Sequence, residues 1–178
     1  MLVILYGVSC VGKTTVISEL IKNHNWKPIN CYLTRDIRSD DIARIKISKK
    51  EFIAFEKDKF FLAVNKHFDT WYGTPLNEIE HAVSSQEEIF VLDFMIGNRH
   101  QLASYDHKKV IIIPESEEQL ATHVKKTNRL EREDEILNDY RKNYNTDQLV
   151  KYLSERFAVV TNYELNLRKT IESIKSHI

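Results

Sequence analysis

The chain has 178 residues, a mass of 21.0 kDa and 42% hydrophobic residues, which favours one domain with a sizeable core. Lysine plus arginine and aspartate plus glutamate number 26 each, so no overall positive field argues for a nucleic-acid or membrane partner. No stretch approaches the length of a membrane span, and the two cysteines lack a metal-type spacing. We therefore expect a cytoplasmic protein, monomer or homodimer, without a nucleic-acid or membrane partner.

Short apolar runs alternate with amphipathic segments along the chain. The runs predict strands at 2–6, 28–33, 43–47, 59–65, 88–93, 109–113 and 157–162. The amphipathic segments predict helices at 13–24, 49–57, 75–84, 98–105, 116–144 and 163–176. A polar loop at 35–42 and a turn at 69–75 interrupt this pattern, and Ser48 with Glu51 predicts a capping box. Such alternation predicts an α/β fold with a parallel sheet sandwiched by helices, whose ligands bind at the carboxyl ends of the strands.

The first predicted strand runs directly into the sequence GVSCVGKTT, residues 7–15. This segment fits the phosphate-binding pattern G-x-x-x-x-G-K-[ST], in which glycines let backbone N–H groups cradle an anion. The lysine then reaches the β- and γ-phosphates, the threonine hydroxyl can bind Mg²⁺, and the N-terminus of the next helix faces the same phosphates. The residues predicted to bind the nucleotide here are Gly7, Ser9, Gly12, Lys13, Thr14 and Thr15.

Two later segments carry residues that suit phosphoryl transfer. Asp93 ends the apolar run 89–93, and a carboxylate there can hold Mg²⁺ together with Thr14, although strand-end caps have the same pattern. Arg129, Arg132 and Arg141 lie in a strongly charged stretch. They belong either to a mobile lid that neutralises the transferring phosphoryl group or to a solvated helix held by charge pairs.

A cluster of arginines follows the second predicted strand. Arg35 and Arg38 lie in the sequence TRDIR, and Arg44 comes a few residues later. A guanidinium group matches the geometry of a phosphate in a bidentate manner, so the three residues are candidates for binding a phosphorylated acceptor. The alternative is a solvated loop in which they pair with its aspartates.

Taken together and in this order, the motifs resemble the guanylate kinase superfamily of P-loop nucleoside monophosphate kinases. The resemblance rests on GVSCVGKTT, YLTRDIR, ISKKEF, WYGTP, IFVLD, NRLEREDEI and VVTN. It implies an ATP-dependent phosphotransferase that uses Mg²⁺, with one P-loop kinase domain over 1–178, an acceptor-binding region at about 34–74 and a helical lid at about 127–141. It also implies that Arg35 and Arg38 bind the acceptor phosphate, that Tyr72 and Thr74 line the acceptor site, and that Asn162 lies near the adenine.

The acceptor region departs from the guanylate kinase pattern. Cys31, Ala63 and Met95 stand where guanylate kinases read guanine with serine, glutamate and aspartate, and Arg44 replaces a phosphate-binding tyrosine. Alanine and methionine side chains cannot accept hydrogen bonds from guanine, so the base of a nucleoside monophosphate acceptor stays open.

Two alternatives to a nucleoside monophosphate kinase stay open. The segment 32–52 is also similar to ribose 1,5-bisphosphate phosphokinases, whose acceptor is a sugar phosphate. The other alternative is a nucleotide-binding or protein-interaction module without catalysis.

Overall fold

The computed structural model describes residues 1–67, 69–163 and 166–178. Residue 68, in the predicted acceptor-binding region, and residues 164–165, in the predicted terminal helix, lie outside the described residues. The strands are β1 (Leu2–Tyr6), β2 (Lys27–Pro28), β3 (Cys31–Leu33), β4 (Arg44–Lys46), β5 (Phe61–His67), β6 (Thr70–Pro75), β7 (Phe90–Asp93), β8 (Lys108–Pro114) and β9 (Ala158–Asn162). The α-helices are α1 (Lys13–His24), α2 (Lys49–Lys57), α3 (Leu76–Ser84), α4 (Glu117–Lys126), α5 (Glu133–Asn143), α6 (Thr146–Ser154) and α7 (Leu167–Lys175). Two 3₁₀-helices span Ile96–Leu102 and Leu130–Arg132.

The chain divides into two compact units. The first comprises Met1–Leu2, Ile17–Leu92 and Gly97–His107, and the second comprises Val3–Val16, Asp93–Ile96 and Lys108–Ile178. The predicted single kinase domain, its acceptor-binding region and its lid stay predictions. Within the described ranges, no helix is both long enough and apolar enough to cross a membrane.

The second unit is built on parallel strands. β8 pairs with β1 on one side and with β9 on the other, both in parallel. Every residue of β1 is buried, which explains why its sequence is a continuous apolar run. Because the strands run in the same direction, Tyr6, Pro114 and Asn162 end them at one edge of the sheet.

Helices α4, α6 and α7 of this unit bury apolar faces, and each begins at a capped residue. Ser116, Asn145 and Asn166 accept a hydrogen bond from a backbone N–H three residues later, which satisfies a donor that the first turn leaves unpaired. On α7, Ile171 and Ile174 are buried at the spacing expected for one helix face. The helices thereby flank the parallel strands, which confirms the predicted α/β fold class.

The first unit contains a short parallel pair, β2 with β7, and a separate four-stranded sheet in the order β4-β3-β6-β5. In the four-stranded sheet β3 is parallel to β4, whereas β6 is antiparallel to both β3 and β5. Ser48 and Glu51 form the predicted capping box at the start of α2. Helix α2 buries Phe52, whose ring stacks on that of Phe61 with centroids 4.7 Å apart.

A glycine of β6 makes room for this aromatic core. A Cβ atom added to Gly73 would lie 2.5 Å from the ring of Phe61, closer than two non-bonded carbon atoms approach one another. Trp71, on the same strand, contributes to the core through an edge-to-face contact with Phe52 at 5.4 Å between centroids. The glycine is therefore a packing requirement of the strand.

This glycine explains one wrong prediction. The segment 69–75 contains aspartate, glycine and proline and was expected to form a turn, but Thr70–Pro75 forms strand β6. The segment 28–33 was expected to form one strand, yet β2 and β3 are separate strands in different sheets. Between them, the backbone N–H and side-chain amide of Asn30 donate to the Glu78 carboxylate, which redirects the chain.

Three further predicted boundaries differ from the structure. The long helix at 116–144 is divided into α4 and α5 by residues 127–132, and Asn128 in that break has a positive φ of 53°. The predicted helix at 98–105 is a 3₁₀-helix, Ile96–Leu102. Helix α6, which begins after the cap residue Asn145, was not predicted from the sequence.

Candidate active site

The phosphate loop, residues 7–14, connects the end of β1 to the start of α1 in the second unit. Gly12 has φ +93°, and a Cβ atom there would overlap the Asn162 side-chain nitrogen. A Cβ atom at Gly7 would lie 2.7 Å from the carbonyl oxygen of Ile112 on β8. Both glycines of the motif are therefore required by the fold of the loop, for backbone conformation at one position and for space at both.

Lys13 begins α1 and turns its side chain back over the loop. Its ammonium group donates to the carbonyl oxygens of Gly7, at 2.6 Å, and Val8, at 3.0 Å. It also lies 3.7 Å from a carboxylate oxygen of Asp93, the last residue of β7. The structure thus brings together the predicted phosphate-binding lysine and the predicted strand-end acid.

Oxygen ligands suitable for Mg²⁺ are available beside this lysine. Thr14 and Thr15 are exposed on the first turn of α1, and Ser9 lies half-buried in the loop. A threonine hydroxyl and a carboxylate, such as that of Asp93, are hard oxygen donors of the kind that Mg²⁺ takes. Among the described residues no group of three or more histidine, cysteine or acidic side chains could form a metal centre. This donor set fits Mg²⁺, which is usually bound by one or two protein oxygens plus substrate phosphates.

Asn162, at the end of β9, is buried and forms a hydrogen bond with the backbone of the phosphate loop. Its amide nitrogen donates to the carbonyl oxygen of Val11 at 2.8 Å, and its amide oxygen accepts from the Thr170 hydroxyl at 3.2 Å. The resemblance places this residue near the adenine, which stays a prediction. The observed contacts give it a positioning role, because the Val11 carbonyl directly precedes Gly12.

The three predicted lid arginines lie in different surroundings. The guanidinium of Arg129 lies 3.8 Å from the sulfur of Cys10 in the phosphate loop. Arg132 pairs with Glu135 at 3.3 Å, and Arg141 pairs with both carboxylate oxygens of Glu117. The hydrogen bonds from Arg141 lower the pKa of Glu117. Arg129 thus lies at the loop, and the catalytic roles of all three arginines stay predictions.

Tyr144 lies beside the loop and was not predicted from the sequence. It is 3% exposed, and burial raises its pKa well above the usual range. The negative charges of Asp139 and Asp93 act in the same direction, whereas the backbone N–H of Gly7 acts in the opposite one. Its hydroxyl therefore stays protonated next to the first glycine of the loop. No sequence motif marks this residue, which directly follows the last residue of α5.

In the first unit, Arg35 forms the centre of the predicted acceptor residues. Its guanidinium donates to both carboxylate oxygens of Asp41, at 2.7 and 2.8 Å, and its Nε lies 3.4 Å from the Tyr72 hydroxyl. The hydrogen bonds with Asp41 raise the pKa of Arg35, so the guanidinium is permanently charged. Tyr72 lies opposite Leu33 in the β3–β6 register, which brings it to the arginine that follows β3.

Asp41 also interacts with the other two predicted acceptor arginines, through the backbone of Arg38 and the charge of Arg44. The backbone N–H of Arg38 donates to Asp41 at 2.8 Å, while its side chain is exposed. Burial acts to raise the pKa of Asp41, but the hydrogen bonds from Arg35 and Arg38 and the charge of Arg44 together lower it. Three residues predicted to bind an acceptor phosphate therefore already surround one carboxylate.

Thr74, the remaining predicted acceptor residue, is 6% exposed in β6. Its hydroxyl lies 3.9 Å from the sulfur of Cys31, in keeping with the neighbouring positions of β3 and β6. The structure therefore places Thr74, Tyr72 and Arg35 along one sheet and the nucleotide-binding residues around the phosphate loop, each set in its own unit.

A glycine-dependent loop between a buried parallel strand and a helix, with a lysine over it and a strand-end aspartate beside it, defines a P-loop nucleotide-binding protein. Comparison with known proteins identifies the family within this class. The family model for guanylate kinase matches residues 1–178, the whole chain, which therefore belongs to the guanylate kinase family. Members of this family are ATP-dependent nucleoside monophosphate kinases, which confirms the prediction of a phosphotransferase.

Individual relatives agree with the family match. The chain is 28% identical to a guanylate kinase from Clostridium tetani, over 99% of this chain and 85% of that one. It is 30% identical to a guanylate kinase from Mesomycoplasma hyopneumoniae, over 99% of this chain and 93% of that one. The crystal structure of guanylate kinase from Anaplasma phagocytophilum matches with a TM-score of 0.67 over 99% of this chain and 82% of that one. At 17% sequence identity this last likeness shows the fold. These matches give no support to the ribose 1,5-bisphosphate alternative.

Proposed function

We propose that this chain transfers the γ-phosphoryl group of ATP, with Mg²⁺, to a nucleoside monophosphate, and that GMP is the first acceptor to test. The observation that carries the proposal is the position of the Lys13 ammonium group. It lies within hydrogen-bonding distance of two loop carbonyl oxygens and 3.7 Å from Asp93, at the start of a helix. A triphosphate bound to the loop would meet this charge without a rearrangement of the backbone.

On the donor side, positioning and charge supply the catalysis. The loop N–H groups and the N-terminus of α1 attract the phosphates, and Lys13 neutralises their charge. Thr14 and Asp93 are the residues that would hold Mg²⁺, which when bound neutralises charge that develops on the phosphate oxygens. Arg129, already at the loop, is the lid arginine that we assign to the transferring group.

On the acceptor side, Arg35 and Arg38 hold the phosphate of the nucleoside monophosphate. A guanidinium group binds a phosphate through the same two parallel N–H donors that it offers to a carboxylate. The bidentate pair of Arg35 with Asp41 supports this assignment, because the same guanidinium already holds an anionic group with two N–H donors. The acceptor phosphate then competes with Asp41 for Arg35, while Tyr72 adds a hydroxyl at the same guanidinium.

A release assay for ADP tests the proposal. Purified protein is incubated with ATP and Mg²⁺ and, in turn, GMP, IMP, AMP, CMP, UMP, ribose 5-phosphate and ribose 1,5-bisphosphate. We expect a nucleoside monophosphate to accelerate ADP release and excess EDTA to stop it. Acceleration by a sugar phosphate alone would overturn the proposed acceptor. If calorimetry detects ATP binding and no acceptor is phosphorylated, the chain is a non-catalytic nucleotide-binding module.

A lysine substitution tests the donor side. Lys13→Ala is expected to lower kcat at least about 10²-fold, because removing one preorganised charged donor costs that order of rate. It should also weaken ATP binding in calorimetry, a readout that does not depend on turnover. Lys22→Ala, an exposed lysine on the same helix, is the matched control and should leave both unchanged. Equal activity of the two variants would contradict the assignment of Lys13.

A further inference from the structure

The face of the four-stranded sheet that carries Tyr72 and Thr74 also carries an asparagine. In the β5–β6 register Ala63 lies opposite Thr74 and Asn65 lies opposite Tyr72. Residues directly opposite each other in antiparallel strands, and residues two apart on one strand, place their side chains on the same face. Asn65 therefore shares a sheet face with both predicted acceptor residues of β6.

Asn65 is paired with a second amide. The Asn98 side chain, from the 3₁₀-helix Ile96–Leu102, donates from its nitrogen to the Asn65 side-chain oxygen at 2.5 Å. Both side chains are half-buried. Within the described ranges neither amide makes another side-chain hydrogen bond. The pair consequently offers the Asn65 amide N–H groups as donors next to the Asn98 amide oxygen as an acceptor.

A neighbouring donor and acceptor recognise a base edge that presents the complementary order. The lactam edge of a 6-oxopurine presents an N1–H donor beside the C6 carbonyl acceptor, and uracil presents the same chemistry. Adenine and cytosine present the opposite order, a ring nitrogen acceptor beside an amino donor. Ala63, on the same face, has no polar side-chain atom for the 2-amino group of guanine.

We infer that the Asn65–Asn98 pair is the specificity-determining group of the acceptor site and that it reads the lactam edge of the base. This inference rests on the proposed function. The Asn98 oxygen accepts the ring N–H, and the Asn65 amide donates to the ring carbonyl. Because the pair has no contact assigned to the 2-amino group, it does not distinguish guanine from hypoxanthine.

The acceptor preference of the wild-type protein tests the inference first. We expect kcat/KM for GMP and IMP to agree within about threefold, since the 2-amino group of guanine has no assigned hydrogen-bond partner and contributes little. AMP and CMP should be at least about 10²-fold worse, because each leaves the amide groups of the pair mispaired. UMP has the same lactam edge on a single ring, so its kcat/KM relative to that for GMP measures how much the size of the base contributes to acceptor preference. A preference for GMP over IMP above about 10²-fold, or a preference for AMP, would overturn the inference.

The Asn65→Asp substitution gives a second, sharper test. An aspartate still accepts from Asn98 but presents an acceptor where Asn65 presents a donor, so it repels the C6 carbonyl of guanine and hypoxanthine and suits the 6-amino donor of adenine. The ratio of kcat/KM for GMP to that for AMP should fall at least about tenfold, and the values for GMP and IMP should fall together. Calorimetric affinities for GMP and AMP should shift in the same direction, and the KM for ATP should not change.

Asn23→Asp is the matched control, because Asn23 is exposed on α1 and bonds only to Glu19 among the described side chains. It should leave the ratio of kcat/KM for GMP to that for AMP unchanged, and circular dichroism verifies that both variants are folded. If GMP is phosphorylated and Asn65→Asp leaves the ratio of GMP to AMP unchanged, this inference alone fails. If no nucleoside monophosphate is phosphorylated, the proposed function fails and this inference fails with it.

Discussion

The close approach of Gly12 to Asn162 allows the free energy of unfolding of phosphate-loop variants to be predicted. In Gly12→Ala, the positive φ of +93° costs about 1.5 kcal/mol for a residue with a side chain, since only glycine adopts it freely. The new Cβ atom would also overlap the buried amide of Asn162, and overpacking of this kind costs about 2 kcal/mol. We therefore expect the free energy of unfolding to fall by about 3.5 kcal/mol.

The companion variant, Asn162→Ala, removes the group that the new Cβ atom would strike. It removes the amide that donates to the Val11 carbonyl and one of the acceptors of the Thr170 hydroxyl, at a cost of about 2 kcal/mol. Independent effects would give the double variant a loss of about 5.5 kcal/mol. Because the overlap disappears when Asn162 is alanine, we expect a loss of only about 3.5 kcal/mol, a coupling of about 2 kcal/mol.

Urea unfolding, followed by circular dichroism, measures all four proteins of this cycle, and titration with ATP and Mg²⁺ reports on the loop itself. Gly97→Ala is the control, because a Cβ atom at Gly97 meets no heavy atom within 4 Å. That substitution should change the free energy of unfolding by no more than about 0.5 kcal/mol. Additivity of the two single variants within about 0.5 kcal/mol would refute the claim that Asn162 is what makes glycine necessary at position 12.

Three further outcomes are expected. Arg38→Ala should raise the KM for the acceptor at least about tenfold with a nearly unchanged kcat, because it removes ground-state phosphate binding, and a rise only in the KM for ATP would contradict this placement. Asp41 has a lowered pKa in the folded protein, so it stabilises the fold above its unfolded pKa of about 3.9 and loses this effect as pH falls through the folded pKa. Asp41→Asn should therefore flatten the decline of the urea midpoint between about pH 5 and pH 2, and parallel declines would contradict the pairing. Tyr144→Phe should weaken ATP binding by calorimetry at least about threefold through loss of the hydroxyl beside Gly7, and unchanged affinity would remove Tyr144 from the site.

The sequence was informative where local chemistry alone fixes the structure. The spacing of Gly7, Gly12 and Lys13 predicted a loop between a strand and a helix, and α1 spans the predicted residues 13–24. Likewise, Ser48 and Glu51 predicted the start of α2, because both partners of a capping box lie within four residues. In these cases every group that decides the conformation is close in the sequence.

The features that the sequence did not predict depend on groups far apart in the sequence. Strand β6 contains a glycine because Phe61 packs against it, and no local pattern reveals that contact. Asn65 and Asn98 are 33 positions apart, so their pairing could not be predicted from either segment. Similarly, Asp41 was only one of several aspartates in its loop until the fold showed that it accepts from Arg35.

The close approach of Phe61 to Gly73 also restricts how this protein can change over evolutionary time. A lineage that acquired alanine at position 73 would first need a smaller residue at position 61, because the reverse order passes through an intermediate with overlapping atoms. We expect positions 61 and 73 to covary among descendants of a common ancestor, with an aromatic residue at 61 wherever glycine is retained at 73.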